Sequence, residues 1–128
     1  PERAKNLGAA KAEEALIASF MRNPDFYNKL KEKITPDDYV TAFNRRIMQS
    51  LVNALENGTE PNLSVFSSDF TPEEMDSVTR ISLLSSSLGN TVKECEDCIK
   101  VLKESSASRH EDAANMSDEE FLKLFKKK

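Results

Sequence analysis

One stretch, residues 41–58, constrains the fold of this chain more than any other, because its apolar residues recur at the helical period without a gap. Thr41 is a suitable N-cap, and Asn57 and Gly58 are typical of a helix end, where glycine adopts the left-handed conformation without steric cost. The apolar positions of the stretch are Phe43, Ile47, Met48, Leu51, Val52 and Leu55. An apolar face this wide needs packing partners on both sides. We therefore predict that residues 41–58 form the central helix of a bundle.

The rest of the chain predicts an all-α fold. Apolar residues at helical spacing indicate helices that begin near Lys11, Pro24, Pro72 and Asn90, and a chain of 128 residues with three glycines and no tryptophan suits a small helical protein. We expect a multi-helix bundle over residues 11–90, preceded by a flexible segment over residues 1–10. A C-terminal helical hairpin is expected over residues 91–128.

The end of the chain predicts a short amphipathic helix. Ser117 and Glu120 form a capping box, and Met116 is placed to pack on Phe121 as a hydrophobic staple. Residues 104–115, which precede it, contain no large apolar side chain and are either a solvated helical extension or a flexible linker. Because so short a helix is marginal by itself, its apolar side chains must pack on the preceding helix or on another protein.

Charge and composition exclude several classes of function. A net charge of −4 argues against a domain that neutralises phosphates, so we expect no direct binding of nucleic acid. We expect no membrane span, because no apolar run reaches the roughly 18 residues required, and nothing at the start resembles a signal peptide. The first residue is Pro1 rather than methionine, which indicates a piece of a longer protein. No glycine-rich phosphate loop or nucleophile elbow is present, so we predict no catalytic residue, metal or cofactor.

Cys95 and Cys98 form the one motif that invites a chemical role. A redox pair of this spacing normally starts a helix that follows a strand, and no strand is predicted here. Zinc needs four ligands, whereas His110 is the only histidine. Both cysteines continue the apolar side of their helix, so we predict buried, reduced thiols. A small thiol oxidoreductase remains an alternative.

Charged residues elsewhere are interpreted as helix-end partners or solvated faces. The acidic pairs lie in or near predicted first helical turns, where they complement the helix dipole. The basic clusters, Arg45-Arg46 and the lysines 126–128, are interpreted mainly as solvated faces, with contact to a partner's carboxylates or weak contact to phosphate as the alternatives. The acidic pairs are Glu13-Glu14, Asp37-Asp38, Glu73-Glu74 and Glu119-Glu120.

The segments AEEALI, NPD and ITPDDYVTAFNRRIMQSLVNALENG resemble a small helical domain shared by two bacterial replication families. One is the C-terminal helicase-binding domain of DnaG-type primases, and the other is the N-terminal domain of DnaB-type replicative helicases. The resemblance includes an acidic-aromatic pair, Asp38-Tyr39, and the Arg45-Arg46-Ile47 core. It covers residues 11–58 and does not by itself separate the two families.

The second half of the chain favours the primase family. Helicase domains usually carry histidine before the arginine of the long helix, where this chain has Asn44. The segments NTVKECEDCIKVLKE and MSDEEFLKLFKKK are similar to the primase ending, in which a long helix and a short terminal helix form a hairpin. We therefore prefer the primase domain, with the oligomerisation and primase-binding domain of the helicase as the alternative.

The resemblance implies a cytoplasmic, non-catalytic fragment of a DNA-directed RNA polymerase, the primase of the primosome. Such a fragment would dock on the N-terminal collar of the replicative helicase and modulate it during primer synthesis in DNA replication. It would be a monomer alone, or a weak dimer formed by hairpin exchange. The partner contacts carried over from the family are Glu119, Glu120, Phe121, Leu122, Lys123, Leu124 and Phe125.

Overall fold

The computed structural model describes residues 2–115, with side chains described for residues 2–105. This part of the chain is helical and contains no strand, which confirms the all-α prediction. Short 3₁₀ turns at Pro36–Asp38, Leu63–Phe66 and Leu83–Ser87 connect the helices. The six α-helices are α1 (Glu2–Lys5), α2 (Leu7–Arg22), α3 (Pro24–Leu30), α4 (Ala42–Glu56), α5 (Pro72–Ser82) and α6 (Val92–Asn115).

Helix α2, and not α4, lies at the centre of the bundle. It packs against each of the other helices and against the turn Leu83–Ser87. Its large apolar side chains Leu16, Ile17 and Phe20 are completely buried, and alanines on its other faces are buried as well. The prediction of α4 as the central helix was wrong because alanine contributes little to an apolar stripe, although its small side chain lets neighbouring helices approach closely.

The start of α2 also differs from the sequence prediction. Residues 2–10, for which the sequence predicts a flexible segment, lie in α1 and in the first turn of α2, and Ala9 and Ala10 are buried. The division of the chain into residues 1–10, 11–90 and 91–128 stays a prediction.

Helix α4 follows the predicted pattern closely. It runs from Ala42 to Glu56, and Ile47, Met48 and Leu51 are buried on its inner face. Gly58 has a φ of 72°, the left-handed conformation expected for a glycine after a helix end. Both ends could be placed from the sequence because Thr41 is typical of an N-cap and Asn57-Gly58 of a helix end.

Helix α5 begins as predicted but ends earlier. Thr71 and Glu74 form the capping box, and Val78 and Ile81 face the core. The sequence predicts a helix up to Leu88, whereas the α-helical turns end at Ser82. The serines that follow donate their hydroxyls to backbone carbonyls one turn back, and such local bonds favour the tighter 3₁₀ turn.

Helix α6 covers one side of α2. Cys95, Ile99 and Leu102 are buried there, and the Thr91 hydroxyl, rather than Asn90, accepts the Glu94 N–H at the start of the helix. The backbone remains helical to Asn115, so the two alternatives for residues 104–115 resolve in favour of a helical extension. The predicted terminal helix, and with it the hairpin, lies outside the described residues.

Candidate functional site

The predicted partner contacts lie outside the described residues and stay a prediction. They are Glu119, Glu120, Phe121, Leu122, Lys123, Leu124 and Phe125. The structure instead reveals a different cluster, formed by two buried carboxylates in the middle of α2.

Glu13 is a cap for the neighbouring helix α4. Its side chain is completely buried, and its Oε2 accepts the backbone N–H groups of Val40 and Thr41, the latter at 3.2 Å. Its Oε1 accepts Nδ2 of Asn44 at 3.1 Å. The Thr41 side chain makes no capping bond, so the carboxylate of α2 satisfies amide groups that would otherwise be unpaired at this helix start.

Glu14 links α2 to the helices α1, α5 and α4. Arg3 of α1 donates Nε to Oε2 at 2.9 Å and Nη2 to Oε1 at 3.1 Å, and Nη1 of Arg80 from α5 lies 3.5 Å from Oε1. Glu14 is 2% exposed. Burial by itself would raise the pKa of this carboxyl, but the hydrogen bond and charge of Arg3, with Arg80 and Asn44, hold the pKa below its usual value. Glu14 is therefore a charged group in the interior.

A cavity of about 220 Å³, lined by Phe43 as well as by polar and charged side chains, lies beside this pair. Its walls include Arg3, Glu14, Thr41 and Arg80, and the Glu2 carboxylate closes it by accepting the Ala42 N–H at 2.6 Å. The Thr41 hydroxyl is buried and has no hydrogen-bond partner. The interpretation of Glu13 and Glu14 as partners of their own helix dipole was wrong, because both lie inside α2, away from its first turn.

Each arginine of the pair Arg45-Arg46 binds a group of the chain itself. Arg45 donates to the Tyr39 carbonyl at 2.7 Å, and Arg46 donates to Glu74 at 2.8 Å while its guanidinium lies 4.7 Å from the Phe70 ring centroid. These contacts tie α4 to its neighbours. The Arg46 side chain is 49% exposed, in keeping with the interpretation as a solvated face, whereas Arg45 is half-buried against the Tyr39 carbonyl.

The two cysteines lie where the sequence predicted. Cys95 is buried and Cys98 half-buried, and both are free thiols. Burial raises the pKa of both, that of Cys98 to about 11, with a smaller contribution to Cys98 from its neighbours Cys95 and Glu94. A thiol with a raised pKa is a poor nucleophile at neutral pH, which argues against the oxidoreductase alternative.

Among residues 2–105, whose side chains the structure describes, no group of three or more potential ligand side chains is arranged to hold a metal ion. None of the described helices combines the length and the apolar character required to cross a bilayer.

Fold and site together define a small all-helical domain whose buried charges hold its helices in place. A family model, the DnaB-like helicase N terminal domain, matches residues 6–104, from the start of α2 into α6. Because the match covers well over half of the chain, the chain belongs to this family. Neither a search of curated proteins nor a search of solved structures gave a match.

The family match corrects the choice between the two replication families. The prediction that the chain is a primase C-terminal domain was wrong. The predictions that its parent protein is a primase, that it belongs to the primase part of the primosome, and that its partner is the replicative helicase were wrong for the same reason. The alternative, the helicase N-terminal domain, is the one that the match favours. Much of the weight given to the primase came from the terminal segment MSDEEFLKLFKKK, which lies beyond the matched residues.

Proposed function

We propose that this chain is the non-catalytic interaction domain of a DnaB-type replicative helicase. It associates with copies of itself in the N-terminal collar of the helicase and offers a binding surface to the primase, in the cytoplasm. The observation that carries this proposal is the family match over residues 6–104.

The length of α6 supports a role in association. Among the α6 residues whose side chains are described, which end at residue 105, the last one buried in the core is Leu102, and the backbone stays helical to Asn115. At 1.5 Å per residue, this continuation is about 20 Å long. Its sequence has no large apolar residue, so it has little to bury against its own bundle. A helix of this kind suits an arm that carries the following segment to another chain.

The segment after α6 supplies the apolar side chains that such an arm needs. From the sequence we predict that Phe121, Leu122, Leu124 and Phe125 form one side of a short helix. Interfaces between proteins commonly derive most of their binding energy from a few buried aromatic and aliphatic side chains. In the proposed function, this segment packs against a second copy of the chain.

Electrostatics favours proteins over nucleic acid as partners. The net charge is −4, and Arg3, Arg45, Arg46 and Arg80 are each bound to a carboxylate or a carbonyl of the chain itself. Binding to DNA draws on arginines and lysines that are free to replace counterions on phosphates. The proposed domain would therefore act on the helicase through protein contacts.

Sedimentation velocity of the purified chain over a range of concentrations tests the first half of the proposal. We expect self-association without any added partner, and weaker self-association for the double variant Phe121→Ala/Phe125→Ala. Lys127→Ala, in the same segment, serves as the control and should behave as the unmodified chain. A chain that stays monomeric at every concentration would contradict the collar role.

Calorimetric titration tests the second half. The ligand is the C-terminal helicase-binding domain of the primase from the same organism, and binding is expected. Absence of heat, together with a monomeric chain, would overturn the proposed function.

A further inference from the structure

Helix α1 is attached to the bundle chiefly through charged side chains. None of its residues is buried. Arg3 binds Glu14 with two hydrogen bonds, at 2.9 and 3.1 Å, and the Glu2 carboxylate accepts the Ala42 N–H at 2.6 Å. Asn6 interrupts the helix between α1 and α2. Helix α1 is thus a short element that contributes none of its own side chains to the buried core.

The position vacated by Arg3 would retain the features of a binding site. With Arg3 in place Glu14 is 2% exposed on the central helix, and Glu2 and Arg3 form part of the wall of the adjoining cavity of about 220 Å³. Thr41, which is 4% exposed, also lines the cavity, and its hydroxyl is buried without a hydrogen-bond partner. When α1 departs, the Glu14 carboxylate and the part of the cavity wall formed by α2, α4 and α5 remain.

The charges of the site favour a cation. With Arg3 removed, the Glu14 carboxylate keeps Arg80 as an ion-pair partner and Asn44 as a hydrogen-bond donor. Arg80 is itself about half exposed and lies 3.5 Å from Glu14, at the long end of an ion pair. A buried carboxylate without a full partner is costly, so the site has a strong preference for a second positive charge.

The geometry of the existing contact favours arginine over lysine. Nε and Nη2 of Arg3 donate to the two different oxygens of Glu14, which is the two-point contact that a planar guanidinium makes with a carboxylate. A lysine ammonium supplies the charge but not this paired geometry. The neighbouring contact of Glu2 with the start of α4 shows that an acidic residue directly before the arginine fits as well.

We propose that the cavity between α1, α2, α4 and α5 is a binding site for an arginine side chain of a partner protein. In this structure the chain's own Arg3 occupies the Glu14 carboxylate at the wall of this cavity. An incoming segment with an acidic residue followed by arginine takes the place of Glu2 and Arg3, and α1 is released. The proposal rests on the contacts of Glu14 and does not depend on the proposed function.

The partner segment must compete with an intramolecular ligand. A tethered group commonly has an effective concentration in the millimolar range, so a lone arginine would bind weakly to the unmodified chain. A protein that makes further contacts on the surrounding surface overcomes this advantage. Removing the internal ligand should therefore reveal the affinity of the site itself.

The test uses the chain with the double substitution Glu2→Ala/Arg3→Ala and an amidated peptide, PERAKN, which repeats residues 1–6. Peptide binding is followed by the shifts of the Thr41 and Ala42 amide signals in two-dimensional NMR spectra. We expect the double variant to bind the peptide about tenfold more tightly than the unmodified chain, in which the tethered copy competes. Lys5→Ala, an exposed change in α1, is the matched control and should bind the peptide as the unmodified chain does.

A second peptide, with lysine in place of arginine, tests the side chain that is recognised. We expect it to lose most of the affinity. Equal binding of the two peptides, equal binding to the unmodified chain and the double variant, or unchanged Thr41 and Ala42 signals would each overturn the proposal. Should the double variant fail to fold, the single variant Arg3→Lys replaces it. Tighter peptide binding than by the unmodified chain would again support the proposal, and equal binding would overturn it.

Discussion

Substitution of Glu13 is the sharpest test of how α4 is held in the bundle. The Glu13 carboxylate on α2 accepts hydrogen bonds from the backbone N–H groups of Val40 and Thr41 at the start of α4. It also accepts one from the Asn44 side chain. In Glu13→Ala all three donors lose this acceptor. Only Asn44 has a second one, Glu14 at 3.4 Å. The two backbone amides are therefore left unpaired in a region where Thr41 is 4% exposed.

The size of the effect follows from these contacts. An unsatisfied buried donor costs about 1–3 kcal/mol, so two amides cost about 2–6 kcal/mol. Removing the carboxylate also ends the cost of keeping a charge in the interior, which offsets part of this loss. We expect Glu13→Ala to lower the free energy of unfolding by about 2–4 kcal/mol. Glu13→Gln keeps one oxygen acceptor of the same shape and should cost about half as much, because bonds to a neutral acceptor are weaker.

Urea unfolding followed by far-ultraviolet circular dichroism measures these differences. Glu32→Ala removes a carboxylate from an exposed position of the same chain and should change stability by less than about 0.5 kcal/mol. The expected order of stability is unmodified chain, Gln variant, Ala variant. If Glu13→Ala proved as stable as Glu32→Ala, the capping of α4 by α2 would contribute nothing, and the reasoning would be refuted.

Three further predictions concern the core and its titratable groups. Leu51→Ala should cost about 2–5 kcal/mol in a melting experiment, and Leu83→Ala, 65% exposed, almost nothing; equal losses would contradict the assigned core. Burial raises the pKa of Tyr27 to about 12 and that of Tyr39 well above 10, so tyrosinate absorbance should stay flat at pH 10 until the chain unfolds. Since the unfolded chain loses these protons first, stability should fall as the pH rises above 10. Alkylation of Cys98, whose pKa is raised to about 11, should be slow at neutral pH and fast in denaturant; fast reaction of the folded chain would contradict its burial.

Periodicity and end signals were sufficient to predict α4 and the start of α5. Large apolar side chains at four-residue spacing are typical of one buried helix face, and the capping box of Thr71 and Glu74 is a local pattern that needs no tertiary partner. The same reasoning located Cys95 on the buried side of α6. These features share one property, since the residues that determine them are close together in the sequence.

The carboxylate cluster could not be predicted in this way. Arg3 and Arg80 lie far from Glu14 in the sequence, and nothing in the local pattern indicates that they meet. One signal was present: Glu13 and Glu14 interrupt a helix that is otherwise rich in alanine and large apolar residues. Two charges on a helix that is apolar on several faces indicate buried partners elsewhere in the chain, because an unpaired charge there would be too costly.

Asn44 shows in physical terms why the wrong replication family was preferred. The absence of histidine before Arg45 counted against the helicase, as though the position required that particular side chain. In the structure Asn44 is 2% exposed, and its Nδ2 donates to Glu13 at 3.1 Å and to Glu14 at 3.4 Å. What the position requires is a buried N–H donor between two carboxylates, and both asparagine and histidine supply one. The adjoining cavity of about 220 Å³, which Asn44 lines, also leaves room for a ring. Asparagine in place of histidine therefore preserves the hydrogen bonds to the two carboxylates, and this difference in sequence carries no weight against membership of the helicase family.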